Sequence, residues 1–257
     1  MNILYDFIDA TNKEKILYKR FAKALQVFVD KYLCDNWEVI IIGGSFAKNK
    51  ITANSDIDVV VVLTDGSSES ESFKEVRIDD IPIQLFKFTA KELYDSFNWE
   101  KGNLQRQRSS LLSSGVIVSG NSEVGKKVIA NAKIAFNEPI QKLSLENAQS
   151  MINFINNQIP NNMNQLFDKT KYGFMISLNG MMDRYFNLLH QINSKSIPLE
   201  KEIDSDLSSI PDIESGKLFC SLLVEENLSE KKDKFYDLSR LLCKRLNDYI
   251  KANYKGK

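Results

Sequence analysis

The chain has 257 residues, 43% of them hydrophobic and 10% aromatic, and its 34 Lys and Arg residues balance 34 Asp and Glu residues. This composition supplies enough apolar surface for a core and argues against a disordered chain, while the zero formal net charge argues against long nucleic acids as partners. The length fits one large domain or two smaller ones. Cys34, Cys220 and Cys243 are widely spaced and lack metal-ligand spacing, a pattern typical of reduced thiols.

The first residues, Met1 to Asp6, contain no basic segment before an apolar run, which predicts that no signal peptide is present. No apolar stretch approaches the ~20 residues that are needed to span a bilayer. We therefore expect a cytoplasmic protein without a membrane partner.

Helical and strand patterns alternate in the first half of the chain. Apolar residues recur at close to helical spacing over residues 12–33, which predicts a helix that covers one face of a sheet. Four strands are expected after it, at about 37–42, 56–63, 72–78 and 82–88. Thr89 and Glu92 match a capping box that opens a helix. A short strand is expected over 115–120, followed by a helix over about 122–136.

Beyond residue 143 the patterns are helical. Four helices are predicted there: 144–157, 163–192, 212–226 and 229–254. Ser144 and Ser229 are the expected N-caps of the first and the last. The segment 137–139 is the expected domain boundary, because Pro139 biases the residue before it away from helical geometry. We therefore expect an α+β protein, with a small mixed β-sheet flanked by helices in residues 1–137 and an α-helical bundle in residues 138–257.

The most informative pattern lies between the first two predicted strands. Gly43-Gly44-Ser45 is followed, after ten residues, by Asp56-Ile57-Asp58 and an apolar run. Because side chains alternate along a strand, Asp56 and Asp58 point the same way. Two like charges at the start of an apolar strand are costly unless a cation or ligand compensates them. Mg²⁺ prefers carboxylates together with substrate phosphates, so the pattern predicts a site for a metal-bound nucleotide.

This combination of strand, Gly-Ser turn, spacing and Asp-x-Asp strand resembles the nucleotidyltransferases of the DNA polymerase β superfamily. The two-part layout is similar to that of the superfamily's small-molecule branch, the aminoglycoside or kanamycin nucleotidyltransferase-like enzymes with a C-terminal helical domain. The resemblance is specific over about 37–63, fair to residue 137 and loose beyond it. A coincidental surface loop is the alternative.

The resemblance implies a role for each residue of the motif. Gly43 and Gly44 would let backbone N–H groups approach a triphosphate, and the Ser45 hydroxyl would donate to a phosphate oxygen. Asp56 and Asp58 would be the catalytic residues and would hold one or two Mg²⁺ ions that bridge the phosphates. An acceptor hydroxyl would attack the α-phosphoryl group in line, and pyrophosphate would leave.

Two further residues join the proposed nucleotide-binding set. Ser55 directly precedes Asp56, and its alternative role is structural, fixing the start of the strand. Lys201 follows a helix, an Asn and a Pro in a pattern similar to that of related helical domains. There it could approach the nucleotide phosphates, with helix capping as the alternative role.

Gln84 departs from the family pattern. Relatives commonly carry Asp or Glu at this third-carboxylate position, and a glutamine amide cannot take a proton from an attacking hydroxyl. Asp80 is too distant to substitute, because four strand residues span ~13 Å. Three options stay open: one metal suffices, the helical domain supplies a base, or catalysis has been lost.

The resulting hypothesis is a Mg²⁺-dependent nucleotidyltransferase that moves a nucleoside monophosphate, with AMP from ATP favoured, to a hydroxyl of a small molecule such as an antibiotic. Antibiotic resistance would be the biological outcome. The partners would be a nucleoside triphosphate and the acceptor, and a homodimer is one assembly that the resemblance allows. The alternatives are nucleotidylation of a protein or a tRNA end, and a catalytically silent nucleotide-binding or antitoxin-like module. No pattern in the sequence identifies the acceptor.

Overall fold

The structure, a computed structural model, describes residues 15–32, 36–67, 73–158, 171–197 and 210–254. The chain forms two compact units, one in residues 1–101 and 106–138, the other in residues 102–105 and 139–257. Each unit has its own buried apolar core. Among the described helices, none is long and apolar enough to cross a membrane.

The first unit is built on a mixed sheet. Its described strands are β1 (Trp37–Ile42), β2 (Ile57–Leu63), β3 (Phe73–Ile78), β4 (Ile81–Thr89) and β5 (Val116–Gly120). Their order across the sheet is β3-β4-β2-β1-β5, with β2 and β4 parallel and every other neighbouring pair antiparallel. Every residue of β2 is buried, because this strand lies in the middle of the sheet and both of its faces are covered.

Five helices of the first unit accompany the sheet in the described residues: α1 (Lys15–Tyr32), α2 (Gly44–Ala47), α3 (Ala90–Glu100), α4 (Gln107–Leu112) and α5 (Ser122–Asn137). The side chains of Ile57 and Val59 belong to the core beneath α1 and α2. Val60 and Val62 belong to the core on the opposite face, beneath α3, α4 and α5. Because strand side chains alternate, Asp58 lies on the same face of the sheet as Val60 and Val62.

The elements predicted for the first half are confirmed with small shifts at their ends. Residue 56 precedes β2 instead of opening it, and β4 extends one residue beyond the predicted strand at each end. The predicted capping box is present, with the Glu92 N–H donating to the Thr89 hydroxyl and the Thr89 N–H donating to Glu92. The helix expected from about residue 122 is capped by the Asn121 side chain.

The second unit is helical in the residues that the structure describes. Its helices are α6 (Leu145–Asn153), a π-helical turn (Phe154–Gln158), α7 (Lys171–Ile192), α8 (Ile213–Val224) and α9 (Leu228–Tyr254). Tyr185 and Phe235 stack at the centre of the core with ring centroids 5.5 Å apart, and the Tyr185 hydroxyl lies 3.1 Å from the Ser239 hydroxyl. Burial raises the pKa of Tyr185, so this side chain stays a neutral hydrogen-bonding group.

The α+β fold class expected from the sequence, a small mixed sheet flanked by helices followed by a helical region, is therefore confirmed. Ser144 caps α6 as predicted, since its hydroxyl accepts from the Asn147 N–H. The predicted cap of α9 was wrong. Ser229 lies inside the helix, and the side chain of Asn227 accepts from the N–H groups of Ser229 and Glu230 instead.

Asp212 connects the start of α8 to α9. Its carboxylate accepts from the Glu214 N–H at the first turn of α8, and it forms two hydrogen bonds with Arg245, at 2.6 and 3.2 Å. Burial acts to raise the pKa of Asp212, but the hydrogen bonds from Arg245 and Ser215 outweigh it and hold the pKa below its ordinary value. The ion pair therefore stabilises the unit when Asp212 is ionised.

We expect the contribution of this ion pair to disappear in acid. A carboxyl whose pKa is depressed by folding stabilises the native state above its unfolded pKa, and this stabilisation is lost as the pH falls through the folded pKa. Asp212→Asn keeps a good N-cap and removes only the charge, so we expect a loss of about 1 kcal/mol at pH 7. Urea unfolding at pH 7 and at about pH 3 measures the free energy of unfolding of the variant and of wild type. An equal difference between them at both pH values would contradict a stabilising ion pair between Asp212 and Arg245.

Candidate functional site

The glycine turn and the start of β2 are tied together by the backbone. Gly43 follows β1 directly and precedes the four-residue helix α2. Its N–H donates to the carbonyl oxygen of Asp58 at 2.9 Å, continuing the antiparallel pairing of β1 with β2. The turn at the end of β1 and the Asp-x-Asp segment at the start of β2 are therefore neighbours in space, although ten residues separate them in sequence.

Gly44 is required at its position for two reasons. Its φ is +58°, in the left-handed region that favours glycine. A Cβ at this position would lie 1.8 Å from Oδ2 of Asp58, so the carboxylate already occupies the space of a side chain. Gly43 is also crowded, because a Cβ there would lie 2.6 Å from the carbonyl oxygen of Leu111 in α4. The turn thus holds its backbone directly against the Asp58 carboxylate.

The two aspartates differ in exposure. Asp58 is only 3% exposed, whereas Asp56, just before β2, is half-buried. A carboxylate as buried as that of Asp58 is rarely found unless its charge is compensated or used. The pattern of exposure places Asp58 deeper in the site and Asp56 closer to its opening.

The hydroxyl of Ser45 is buried and has no hydrogen-bond partner among the residues that the structure describes. An unpaired buried polar atom of this kind costs about 1–3 kcal/mol. The hydroxyls of Ser109 and Ser114 share this condition. Ser45 differs from them because it belongs to the turn that contacts Asp58, and a phosphate oxygen bound at the turn would give its hydroxyl an acceptor.

Gln84 lies beside Asp58 across the sheet. The two are direct partners in the parallel pairing of β2 with β4, and Gln84 is half-buried on the same face. On its other side, Gln84 is paired with Glu75 of β3. Asp58, Gln84 and Glu75 therefore form one row across three strands. Asp80, which the sequence analysis found too distant to replace the third carboxylate, lies in the exposed turn between β3 and β4, away from this row.

Glu75 was missed by the sequence interpretation, although a signal for it was present. Asp79 and Asp80 form a two-residue hairpin turn with positive φ at both positions, and Ile78 pairs with Ile81. Counting three residues outward along each strand from that pair places Glu75 opposite Gln84. The acidic pair Asp79-Asp80 thus has a turn-forming role that also sets the register.

The two remaining residues of the predicted nucleotide-binding set are Ser55 and Lys201. The Ser55 hydroxyl accepts from the Thr52 N–H at 2.8 Å, and the Ser55 N–H donates to the Thr52 carbonyl oxygen. This hydroxyl therefore takes part in the local turn before β2. Lys201 lies outside the described residues.

Helix α4 supports the turn from the side of Leu111. The carboxylate of Glu100 accepts from the N–H groups of Arg108 and Ser109 in the first turn of α4, both at 2.8 Å, and Glu100 is only 3% exposed. Lys48, just after α2, reaches the same helix, with its Nζ 3.5 Å from the Ser110 hydroxyl oxygen.

We expect Glu100→Ala to lower the free energy of unfolding by about 2–3 kcal/mol, because the buried N–H of Ser109 and the part-buried N–H of Arg108 lose a charged acceptor. Urea unfolding measures the effect. The matched control is Glu123→Ala, which removes an exposed glutamate from the first turn of α5 and should cost much less than Glu100→Ala. Equal losses in the two variants would show that Glu100 does not support α4.

The described side chains fit a metal that arrives with a nucleotide. Among them, no three His, Cys, Asp or Glu side chains are gathered closely enough to hold a metal ion by themselves. Mg²⁺ commonly binds to one or two carboxylates and takes its other ligands from substrate phosphates and water. Asp56 and Asp58 would supply the carboxylates, and the turn with the Ser45 hydroxyl would face the phosphates.

Comparison with known proteins finds a family model that matches part of the chain. The family model described as "Nucleotidyltransferase domain" matches residues 28–118, a segment that contains β1 to β4, the first three residues of β5, the glycine turn and both aspartates. The nucleotidyltransferase character inferred from the motif is thus supported for this part of the chain, which is consistent with a transferase.

One solved structure aligns with most of the chain at low sequence identity. A solved structure of a nucleotidyltransferase-like protein from Exiguobacterium sibiricum 255-15 is 14% identical, with an alignment that covers 92% of this chain and 80% of that chain at a TM-score of 0.36. Among curated proteins, none matches the sequence.

Proposed function

We propose that the protein is a Mg²⁺-dependent nucleotidyltransferase that transfers a nucleoside monophosphate, with AMP from ATP favoured, to a hydroxyl of a small-molecule acceptor such as an antibiotic. The observation that carries this proposal is the contact of Gly44 with the buried Asp58 carboxylate. In a nucleotidyl transfer the triphosphate and its metal must be held together, and this contact joins the candidate phosphate-binding turn to a candidate metal ligand.

Each residue has a definite task in the proposed reaction. Asp56 and Asp58 would hold a Mg²⁺ ion, which would supply positive charge to the phosphates, and Ser45 would donate its O–H to a phosphate oxygen. The acceptor oxygen forms a bond to the α-phosphorus, the bond from that phosphorus to the bridging oxygen breaks, and pyrophosphate leaves with the electron pair. The proton of the acceptor hydroxyl passes to a base. Gln84 cannot be that base, since an amide has no basic site at neutral pH.

The experiment that tests the proposal is transfer of label from α-³²P nucleoside triphosphates in the presence of Mg²⁺. A panel of aminoglycosides and lincosamides and a cell lysate would supply acceptors. Asp56→Ala should lose the transfer, whereas Asp65→Ala, which removes an exposed carboxylate from the loop after β2, should keep it. Label on a protein or tRNA instead of a small molecule would change the acceptor class and leave the reaction type intact.

A second candidate function, nucleotide binding without transfer, is favoured by one observation. The third-carboxylate position holds Gln84, and no three acidic side chains gather in the described part of the chain. Metal-dependent binding of ATP without release of pyrophosphate in any acceptor mixture would support this silent module. The cytoplasmic location stays a prediction that cell fractionation can test. The homodimer stays a prediction that native mass determination can test.

A further inference from the structure

The site lacks a negative charge at Gln84, and the sheet places one directly beside it. Glu75 of β3 and Gln84 of β4 are partners in the antiparallel pairing, while Gln84 and Asp58 are partners in the parallel pairing. Directly opposed residues on neighbouring strands point to the same face. The carboxylate of Glu75 therefore belongs to the same row as the proposed metal ligand.

The spacing of the strands decides how Glu75 can act. Neighbouring strands lie about 4.8 Å apart, so the Cα atoms of Glu75 and Asp58 are separated by about 10 Å across two spacings. Gln84 lies between the two residues in the row. The Cβ atoms of opposed residues lie about 5 Å apart, so the carboxylate of Glu75 can reach the amide of Gln84. The nearest route from Glu75 to the site is therefore through Gln84.

The partner that Glu75 has in the structure does not prevent this role. Its Oε1 lies 3.5 Å from Nε of Arg77, two residues along the same strand. The side chains of Arg77 and Glu75 are 67% and 44% exposed. An ion pair so exposed contributes little to stability and exchanges readily with other partners.

We propose that Glu75 is the positioning residue that replaces the missing third carboxylate, an inference that rests on the proposed function. With metal and nucleotide bound, the Gln84 amide N–H would donate to the Glu75 carboxylate, and this would direct the Gln84 carbonyl oxygen toward the metal. An amide oxygen is a ligand for hard cations, and a carboxylate that accepts from a ligand both orients it and makes its oxygen more electron-rich. Gln84 and Glu75 together thus take the place of the single carboxylate that relatives commonly carry at the position of Gln84.

The test measures Mn²⁺ affinity in the presence of a non-hydrolysable ATP analogue, by calorimetry or electron paramagnetic resonance, and needs no acceptor. Glu75→Gln should weaken Mn²⁺ binding about 10-fold. Asp80→Asn removes the same charge from the hairpin turn and should change it less than about 2-fold, because Asp80 lies outside the row. The double variant Glu75→Gln/Gln84→Glu exchanges donor and acceptor and should return the affinity to within about 3-fold of wild type.

Several results would overturn the inference. Glu75→Gln and Asp80→Asn could weaken Mn²⁺ binding equally, which would make the effect one of general charge. The double variant could bind no better than Glu75→Gln, or Arg77→Ala could match Glu75→Gln, which would point to a structural ion pair. If nucleotide-dependent Mn²⁺ binding required Asp58 but did not change in Glu75→Gln, the role of Glu75 would be rejected and the proposed function would stand. Absence of such binding in the wild-type protein would reject the proposed function as well.

Discussion

Asp58→Asn is expected to weaken Mn²⁺ binding in the presence of an ATP analogue by at least about 100-fold, because a direct carboxylate ligand becomes a neutral amide. The fold should persist, since the amide has nearly the same shape and the charge that it replaces is only 3% exposed. We expect the free energy of unfolding to change by less than about 1 kcal/mol. Calorimetry for the metal and urea unfolding for the fold measure the two effects separately.

The matched control for this variant is Asp65→Asn. Asp65 is exposed in the loop that follows β2, so its change removes the same charge at a point where no metal is expected. Metal affinity should then stay within about 2-fold of wild type. If Asp58→Asn kept the Mn²⁺ affinity of this control, Asp58 would not be a metal ligand and the buried carboxylate would need another explanation.

Gly44→Ala is the second substitution with a large expected effect. A residue with a Cβ at φ +58° costs about 1–2 kcal/mol, and the new Cβ would also lie 1.8 Å from Oδ2 of Asp58. The carboxylate must move, so we expect both a loss of more than about 2 kcal/mol in stability and a loss of nucleotide-dependent metal binding. Urea unfolding and the Mn²⁺ titration are the measurements.

A substitution at Gly66 separates the effect of backbone strain from the effect of the contact with Asp58. Its φ is +84°, yet a Cβ there would meet no atom within 4 Å. Gly66→Ala therefore carries the backbone strain without the contact and should lose about 1–2 kcal/mol while keeping metal binding. Equal effects of the two variants on metal binding would show that the contact between the turn and Asp58 does not shape the site.

These expectations give the glycine turn a role beyond flexibility. The absence of a side chain at Gly44 lets the backbone approach the Asp58 carboxylate, and the hydrogen bond from Gly43 to Asp58 fixes that approach. A triphosphate bound at the turn would therefore lie next to the carboxylate that we propose as a ligand of its metal. Preorganisation of this kind lowers the cost of assembling metal, phosphates and protein at once.

The local features of the chain could be predicted because their causes are local. The apolar run of β2, the capping box from Thr89 to Glu92 and the helix-capping role of Ser144 depend on residues within one turn or one strand. The cap of α9 was predicted wrongly for a related reason. Asn227 and Ser229 are both good capping residues, and sequence alone does not decide which of two neighbouring candidates begins a helix.

The partners of these features depend on the tertiary structure. Asp212 and Arg245 are 33 residues apart, and only the packing of α8 against α9 brings them together. The contact of Asp58 with Gly44 likewise requires β1 and β2 to pair with one particular register. A shift of one residue would turn Asp58 to the other face of the sheet.

Sequence alone was sufficient to predict that this chain alternates strands and helices before a helical region, and that a glycine turn precedes a buried strand whose start carries two aspartates. Periodicity and short-range spacing are sufficient for such conclusions, because each depends on a few neighbouring residues. The strand order β3-β4-β2-β1-β5, and with it the row of Asp58, Gln84 and Glu75, emerged only from the folded chain. Strand pairing joins segments distant along the chain, and its register reflects packing on both faces of the sheet at once.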